Sequence, residues 1–366
     1  MNVAIPISRF DSSGGIRVLT VLANGLAARD YNVSFVVPRG RHSPFFPLDP
    51  GVNVHIVGSD AGDSLLGGLI KKVQLAFGLP PRVDVAIANA FMTAYSVRFS
   101  KAIGRCDRGL YFVQHYEPLA FGAYGQGSAW LKKVRTIAAR LTYHLRVECV
   151  TNSRWTAQML REQHSVNSMI APLGVDTGIF HPDSVKCEPG NAQPFVMAIG
   201  NSNPIKRFDL FAATARALNK RLSSRFLVAS HSPTLFRVDD LDLEATASRN
   251  DYELADLYRR ASCFVSTSAM EGFGLPLLEA MACGTPVVTT DSGGIRDFCK
   301  DRYNCLIVTS DRPEDLAAAI EEVHANKELR ERLIRSGLDT AKEWPWHRLI
   351  DAFDACLKGQ YAEGHR

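Results

Sequence analysis

SCFVSTSAMEGFGLPLLEAMACGTPVVTTDSGG, residues 262–294, is the stretch on which the fold turns. Cys263 to Thr267 is an apolar run of strand length, and the small and polar residues from Ser268 to Gly274 end it in a loop. Pro276 suits the first turn of a helix, where its missing N–H costs nothing. That helix runs through Leu277, Leu278, Ala280 and Met281 and stops at Gly284, a C-terminal cap position. Thr285 to Thr289 then returns as the next strand.

The loop before the helix has the makings of an anion site. Gly272 and Gly274 let backbone approach a ligand closely, and a helix starting near Pro276 directs unpaired N–H groups and its positive dipole end at the same place. Glu271 precedes the helix and Glu279 lies about one turn inside it, so the two carboxylates are expected to flank the anion, roughly 6 Å of helix rise plus a loop apart. A diphosphate in the middle, with a sugar at one acid and a ribose at the other, fits that spacing. Acidic residues near a helix start ordinarily do no more than satisfy the dipole. The joint pattern of strand, small-residue loop, two glycines, two spaced acids and a second glycine pair at Gly293 and Gly294 is what favours a ligand.

The same alternation of strand-like runs and helical patterns extends along the chain and predicts an α/β protein with parallel sheets. In the first half the strands are expected at Asn2 to Ile7, Val33 to Val37, Val52 to Val57, Val83 to Ala88, Leu110 to Gln114, Glu148 to Thr151 and Ser168 to Ala171. In the second they are expected at Pro194 to Ile199, Arg225 to Ala229, Cys263 to Thr267, Thr285 to Thr289 and Cys305 to Val308. Gly174 to Gln193 is rich in Gly, Pro and Asp, lacks periodicity and reads as a linker. The expected organisation is therefore residues 1–175 and 176–343 as two Rossmann-like domains, followed by a C-terminal segment, 344–366, with helical spacing at Trp346, Leu349, Ile350, Phe353 and Leu357.

Length and composition agree with two domains: 366 residues exceed one ordinary core, and 46% hydrophobic with 22% charged residues is a globular balance. No apolar run approaches the roughly 18 to 20 residues of a spanning helix, and Arg9 and Asp11 interrupt the apolar N-terminus too soon for a signal peptide. The eight cysteines show no metal spacing, so a reduced, cytoplasmic setting without disulfides is expected. Net charge is +4 but unevenly placed: residues 1–175 hold 19 Lys or Arg against 10 Asp or Glu, and residues 176–366 hold 23 against 28. A basic front half suggests an anionic partner.

The 262–294 segment resembles the signature of family-four glycosyltransferases of the GT-B fold, in which two glutamates are separated by seven residues, here Glu271 and Glu279. TNSRWTAQML at 151–160, PLGVDTGIFHP at 172–182 and ELADLYRRASCFVSTS at 253–268 are similar to other parts of that family, as is SSGGIRVLTVLANGLAARDYNVSFVVP at 12–38. The resemblance implies two Rossmann-like domains facing a central cleft, a C-terminal helix returning to the first domain, and a nucleotide-sugar donor. It implies that Glu271 contacts the donor sugar, that Glu279 binds the ribose hydroxyls, and that Gly272, Phe273, Gly274 and Leu275 offer backbone donors to the phosphate or sugar. It also implies that Lys206 neutralises the diphosphate. An arginine is usual five residues before that lysine; Asn201 stands there instead, and Arg207 is either a substitute clamp or a surface charge. His115 corresponds to a histidine that hydrogen-bonds the donor sugar, and QHYEP at 114–118 is similar to rhamnosyl- and mannosyltransferase relatives.

Gly14 and Gly15 follow the first strand and open a helix, the pattern of a second anion-facing helix start, although a tight turn alone would account for them. They do not form GxGxxG, which disfavours a dehydrogenase. Arg17 reads as a surface residue or a donor-side cation, and Glu117 as a residue shaping the acceptor side. Asp240 and Asp242 make a DxD pattern within VDDLDLEATASRND, read as a solvated loop; no metal or other cofactor is expected. WLKKVRTIAARLTYHLR at 130–146 and LLGGLIKKVQLAFG at 65–78 are basic amphipathic stretches suited to an anionic membrane surface, and no nucleic-acid module accompanies them. The expected reaction moves a hexosyl or 6-deoxyhexosyl group from a nucleoside diphosphate to a hydroxyl of a glycan or lipid-linked acceptor, with retention. A nucleotide-sugar epimerase of the same shape, and a nucleotide-sugar-binding protein with weak turnover, are the competing readings.

Overall fold

The computed structural model describes residues 1–40, 43–58, 74–75, 77–182, 195–219, 225–236, 238 and 240–360. Most of the 65–78 stretch, the linker beyond residue 182 and Cys187 lie outside the described residues. The chain divides into two compact units: Met1–Leu173 with His347–Arg366, and Gly174–Trp346. Among the described residues no helix is long and apolar enough to cross a membrane.

Unit 1 is a parallel sheet in the order β3-β2-β1-β4-β5-β6-β7. Its strands are β1 (Asn2–Pro6), β2 (Asn32–Pro38), β3 (Val52–Val57), β4 (Val83–Ala88), β5 (Cys106–Val113), β6 (Glu148–Thr151) and β7 (Ser168–Ile170). Its helices are α1 (Gly14–Ala27), α2 (Phe91–Ala102), α3 (Glu117–Gly122), α4 (Ala129–Thr142), α5 (Arg154–His164) and, from the far end of the chain, α11 (His347–Leu357). Nearly continuous apolar strands such as VDVAIA and NVSFVVP are what a sheet covered on both faces requires. Strand order reverses at β1 and β4, which makes their carboxyl ends the crevice where an open sheet of this kind accepts ligands.

Helix α11 is fastened to unit 1 by packing and by charge. Phe353 meets Phe112 edge to face at 5.0 Å, the Tyr31 hydroxyl donates to Asp354 at 2.7 Å, and Arg108 donates to the Cys356 carbonyl at 2.8 Å while pairing with Glu148. Gly25 permits the approach: a Cβ there would stand 2.2 Å from Ile350 Cδ1. Phe353 is fully buried, so Phe353→Ala is expected to cost about 3–5 kcal/mol in denaturant unfolding of the full chain, and a loss below about 1 kcal/mol would contradict this docking.

Unit 2 repeats the design with the order β10-β9-β8-β11-β12-β13. The strands are β8 (Phe195–Ile199), β9 (Arg225–Ala229), β10 (Leu243–Thr246), β11 (Ala261–Ser266), β12 (Val287–Thr290) and β13 (Leu306–Val308). The helices are α6 (Phe208–Asn219), α7 (Asp251–Arg260), α8 (Leu275–Ala282), α9 (Pro313–Ala325) and α10 (Lys327–Lys342). Phe211, Phe226, Val265, Val288 and Ile320 lie in its core.

The solvated-loop reading of VDDLDLEATASRND is corrected at β10. Leu243 to Thr246 pairs in parallel with β9, and Leu243 and Ala245 pack on the core while Glu244 points outward. The two aspartates are surface ion-pair partners there: Asp240 of Arg216 at 2.7 Å, and Asp242 of Arg225 at 3.5 Å. The cause is edge position, since a half-exposed strand keeps polar residues on one face and looks like a loop by composition.

Candidate active site

In unit 2 the strand order reverses at β8 and β11, and the two loops leaving those carboxyl ends are stitched together. After β8 the chain makes a 3₁₀ turn, Pro204–Lys206, capped by Asn203, whose Oδ1 accepts from Ile205 N at 3.1 Å. Ala269 N donates to Ile205 O at 2.8 Å, the Thr267 hydroxyl donates to Lys206 O at 2.9 Å, and Arg207 Nε donates to Thr267 O at 2.7 Å. These bonds bring Lys206 Nζ within 2.6 Å of Glu271 Oε1. Ile199, Lys206, Ser266, Thr267, Glu271 and Pro276 line the recess between the two strand ends.

Arg207, read as either a substitute clamp or a surface charge, adopts a left-handed backbone (φ 47°) and turns its guanidinium to Thr267 O and Asp311. Asn201 does not supply a cation in its stead; its Oδ1 accepts from Asn203 N at 2.9 Å and shapes the turn. Lys206 is therefore the cation that these two loops present beside Glu271.

A second clasp holds Glu271 from below. Glu271 N donates to Ser292 O at 2.7 Å and Gly294 N donates to Glu271 O at 3.1 Å. Contact is so close that a Cβ on Gly294 would lie 2.2 Å from Gly272 O. Gly274 has φ +101°, a conformation that favours glycine, and begins α8 without a side-chain cap. Phe273 is buried against Phe298 at 5.1 Å and Trp344 at 5.4 Å, so its ring anchors the loop, while Leu275 opens the helix. Gly293–Gly294 did enter the sequence pattern, but nothing in the sequence showed that they touch Glu271 directly.

Glu279 departs from the expected geometry. Helix α8 is buried except at Pro276, and Glu279 is 2% exposed, accepting a hydrogen bond from the Tyr258 hydroxyl at 3.3 Å. The two acids thus differ in exposure: Glu271 lines the recess, and Glu279 is buried. An eight-residue helix that is apolar at Leu277, Leu278, Ala280 and Met281 leaves no outward face for a carboxylate.

In unit 1, the loops at the carboxyl edge are likewise tied. Asn89 donates to Pro6 O at 2.6 Å across the strand reversal, Asn152 donates to Gln114 O at 2.7 Å, and Gln114 donates to Gly15 O at 3.3 Å. Helix α1 begins at Gly14 and is capped by Ser13. Gly15 is limited by Gln114, 3.3 Å from its would-be Cβ, whereas Gly14 has nothing within 4 Å. His115, exposed, lies two residues beyond the end of β5. Ser13, Asn89 and Asn152 escaped the sequence reading; a short polar residue just past a strand was the signal of Asn89 and Asn152, and a serine just before a helix that of Ser13.

Glu117, read as an acceptor-side residue, is instead buried. Its carboxylate accepts the Phe91 N–H at 2.9 Å, thereby capping α2, and accepts the Tyr111 hydroxyl as well. Burial pushes its pKa up to about 7, against the opposing effect of those two donors. The folded state therefore holds a proton that the unfolded chain gives up near 4.5. Its contribution is fully present below that value and falls away as pH rises through about 7, a change of up to about 3 kcal/mol. Melting temperature measured from pH 5 to 8 should fall more steeply in the wild type than in Glu117→Gln; parallel curves would refute the assignment.

Residues 241–339 match the family model described as glycosyl transferases group 1. That match lies wholly within unit 2. A D-inositol 3-phosphate glycosyltransferase of Nocardiopsis dassonvillei is 28% identical over 240 residues, 57% of this chain and 55% of that protein. The chain spans between about a third and about half the length of the curated relatives it matches first. Sucrose-phosphate synthase from Thermosynechococcus elongatus superposes with a TM-score of 0.80 over 98% of both chains at 17% identity. Anabaena HepE, solved in complex with UDP and glucose, superposes with a TM-score of 0.72 over 98% of this chain and 100% of that one at 16% identity. These likenesses show the fold: two Rossmann-like parallel-sheet units of the GT-B type. The family match spans both Glu271 and the Gly293–Gly294 clasp.

The two glycines make separable tests of that geometry. Gly294→Ala is expected to cost about 1–3 kcal/mol because its Cβ meets backbone, while Gly14→Ala, in open space, should stay within about 0.5 kcal/mol. Equal losses measured by urea unfolding would contradict the contrast.

Proposed function

We propose that the chain is a retaining glycosyltransferase that moves a hexosyl or 6-deoxyhexosyl group from a nucleoside diphosphate to a hydroxyl of a glycan or lipid-linked acceptor. One observation carries the reading: an ammonium and a carboxylate, Lys206 and Glu271, are held 2.6 Å apart on a recess at the strand reversal of the unit that carries the group 1 match. The relative named a D-inositol 3-phosphate glycosyltransferase supports glycosyl transfer, and the fold neighbour solved with UDP and glucose supports a nucleotide-sugar donor.

In this reading the bond from the anomeric carbon to the diphosphate oxygen breaks, and a bond from that carbon to the acceptor oxygen forms on the same face. The acceptor proton leaves with the departing phosphate. A diphosphate is stable as an anion, so what it asks of the protein is positive charge in a fixed place. Lys206 and the start of α8 supply it, with Gly272, Phe273, Gly274 and Leu275 giving backbone donors; no metal or other cofactor takes part. Glu271 orients the sugar, His115 and the Gly14–Gly15 helix start contact the donor from unit 1, and Glu279 takes the ribose hydroxyls. That last role requires Glu279 to exchange its bond from Tyr258. Lys206→Ala is expected to lower turnover by about 100-fold and, because Glu271 loses its counter-charge, to lower the melting temperature as well; wild-type turnover in the folded variant would refute the role, as would loss of activity in EDTA for the metal-free step. Thermal shifts against UDP-, GDP- and dTDP-sugars identify the donor, which at 100 times its Kd adds about 2.7 kcal/mol of stability.

The acceptor reading extends to a cytoplasmic protein resting on an anionic membrane. Helix α4 exposes Trp130 (72%), Val134, Ile137 and Leu141 at helical spacing beside Lys133, Arg135 and Arg140, and no Asp or Glu occurs between 118 and 147. An apolar stripe edged by cations suits a headgroup boundary. Flotation should carry the chain with anionic but not neutral liposomes, and less so for Trp130→Ser; absence of flotation in both would end this part.

A further inference from the structure

Glu117 has no partner in the reaction just proposed, yet it occupies the point where three elements of unit 1 meet. Its carboxylate joins the start of α2, through Phe91 N–H, to the middle of β5, through the Tyr111 hydroxyl, and its own backbone opens α3. Gln114 to Tyr116 is the short turn between β5 and α3, so Tyr111 on one side and Glu117 on the other bracket His115 within six residues of chain. Gln114 is fixed in its turn by Asn152 and by its bond to Gly15 O. We infer that Glu117 is a positioning residue: its bonds to Tyr111 and to the head of α2 set the Gln114–Tyr116 turn and hence the placement of His115. The inference rests on the transferase reading only in the use made of His115.

The surroundings make the strut responsive to protons. The groups packed about it are Tyr111 of β5, Tyr116 of the same turn, Tyr143 with Arg140 at the end of α4, and His164 with its neighbour His144 beyond. Tyr111, Tyr143 and Tyr116 stack in sequence, with ring centroids 5.9 and 6.1 Å apart, and the Tyr116 hydroxyl bonds His164 Nε2 at 3.0 Å. None of the tyrosines is acidified; burial raises all three. Glu117 is the carboxyl of the cluster, and burial pushes its pKa up to about 7, so it ionises as pH rises through neutrality. Below that point the carboxyl is neutral and its acceptance from Phe91 N–H weakens; above it, the charged cap is at full strength.

The test is a titration of His115 by NMR in the full-length protein, made assignable by comparison with His115→Gln. In the wild type its ring resonance should show its own inflection and a second one near pH 7 that belongs to Glu117. Glu117→Gln should abolish the second inflection, and Tyr111→Phe, which removes a donor to the carboxylate, should move it upward. The pH profile of turnover should lose the same inflection in Glu117→Gln. An identical His115 titration in all three proteins would overturn the inference, as would an inflection that stays in Glu117→Gln. If no donor gives turnover while the His115 shifts behave as described, the positioning role stands and the transferase reading fails.

Discussion

Glu271 and Lys206 reach each other from the carboxyl ends of two adjacent parallel strands, β11 and β8, and much of unit 2 exists to make that contact possible. A carboxylate whose side chain is 12% exposed is costly to leave without a counter-charge. Lys206 answers it, but only because a 3₁₀ turn aims the lysine inward and because the Thr267 and Arg207 bonds hold that turn to the neighbouring loop. From the other side, Glu271 is gripped through backbone alone by Ser292 and Gly294. Backbone clasps of this kind leave the carboxylate itself uncommitted except to Lys206. An ammonium has three N–H donors, so a lysine bonded to one carboxylate oxygen still has donors for an anion arriving beside it.

The local chemistry of that loop explains its glycines better than flexibility does. Gly294 is demanded by the carbonyl of Gly272, and Gly274 by its backbone angle. Phe273 between them is the opposite case, a large ring wedged against Phe298 and Trp344 so that the loop has one resting place. Small residues where backbones touch and a ring where a pocket must be filled is how a loop of few residues becomes as fixed as the helix it starts.

Most of the architecture was legible because strands buried on both faces must be apolar throughout, and such runs as VDVAIA, NVSFVVP and FVMAI leave little choice. β10 was not legible, since an edge strand reading LEAT among aspartates carries its signal in two residues, Leu243 and Ala245. In the candidate site, the position of Glu271 before a helix start could be read from order alone. The fate of Glu279 could not: spacing along a helix gives its height but not its direction, and direction was decided by Tyr258 reaching over from α7. Glu117 shows the same gap, for the partner that buries it, Phe91, is 26 residues away in sequence.

The helix starts of the two units divide by whether the chain supplies its own anion. Helices α7 and α9 begin with acids in the first turn, Asp251 and Glu253 in one and Glu314 and Asp315 in the other, and α2, which has none of its own, receives Glu117. Helices α1 and α8 have no acid in the first turn. Both follow a loop that leaves the carboxyl end of a strand at the reversal of its sheet, β1 in unit 1 and β11 in unit 2. A carboxylate at such a start contributes about 0.3–1 kcal/mol; α4, α5 and α11 also begin without one, but none of those three follows a strand at the reversal of its sheet. The positive end of α8 thus carries no first-turn acid where an open parallel sheet receives its ligand, whereas the start of α1 has Asp11 beside it, accepting the Ser13 N–H at 3.0 Å.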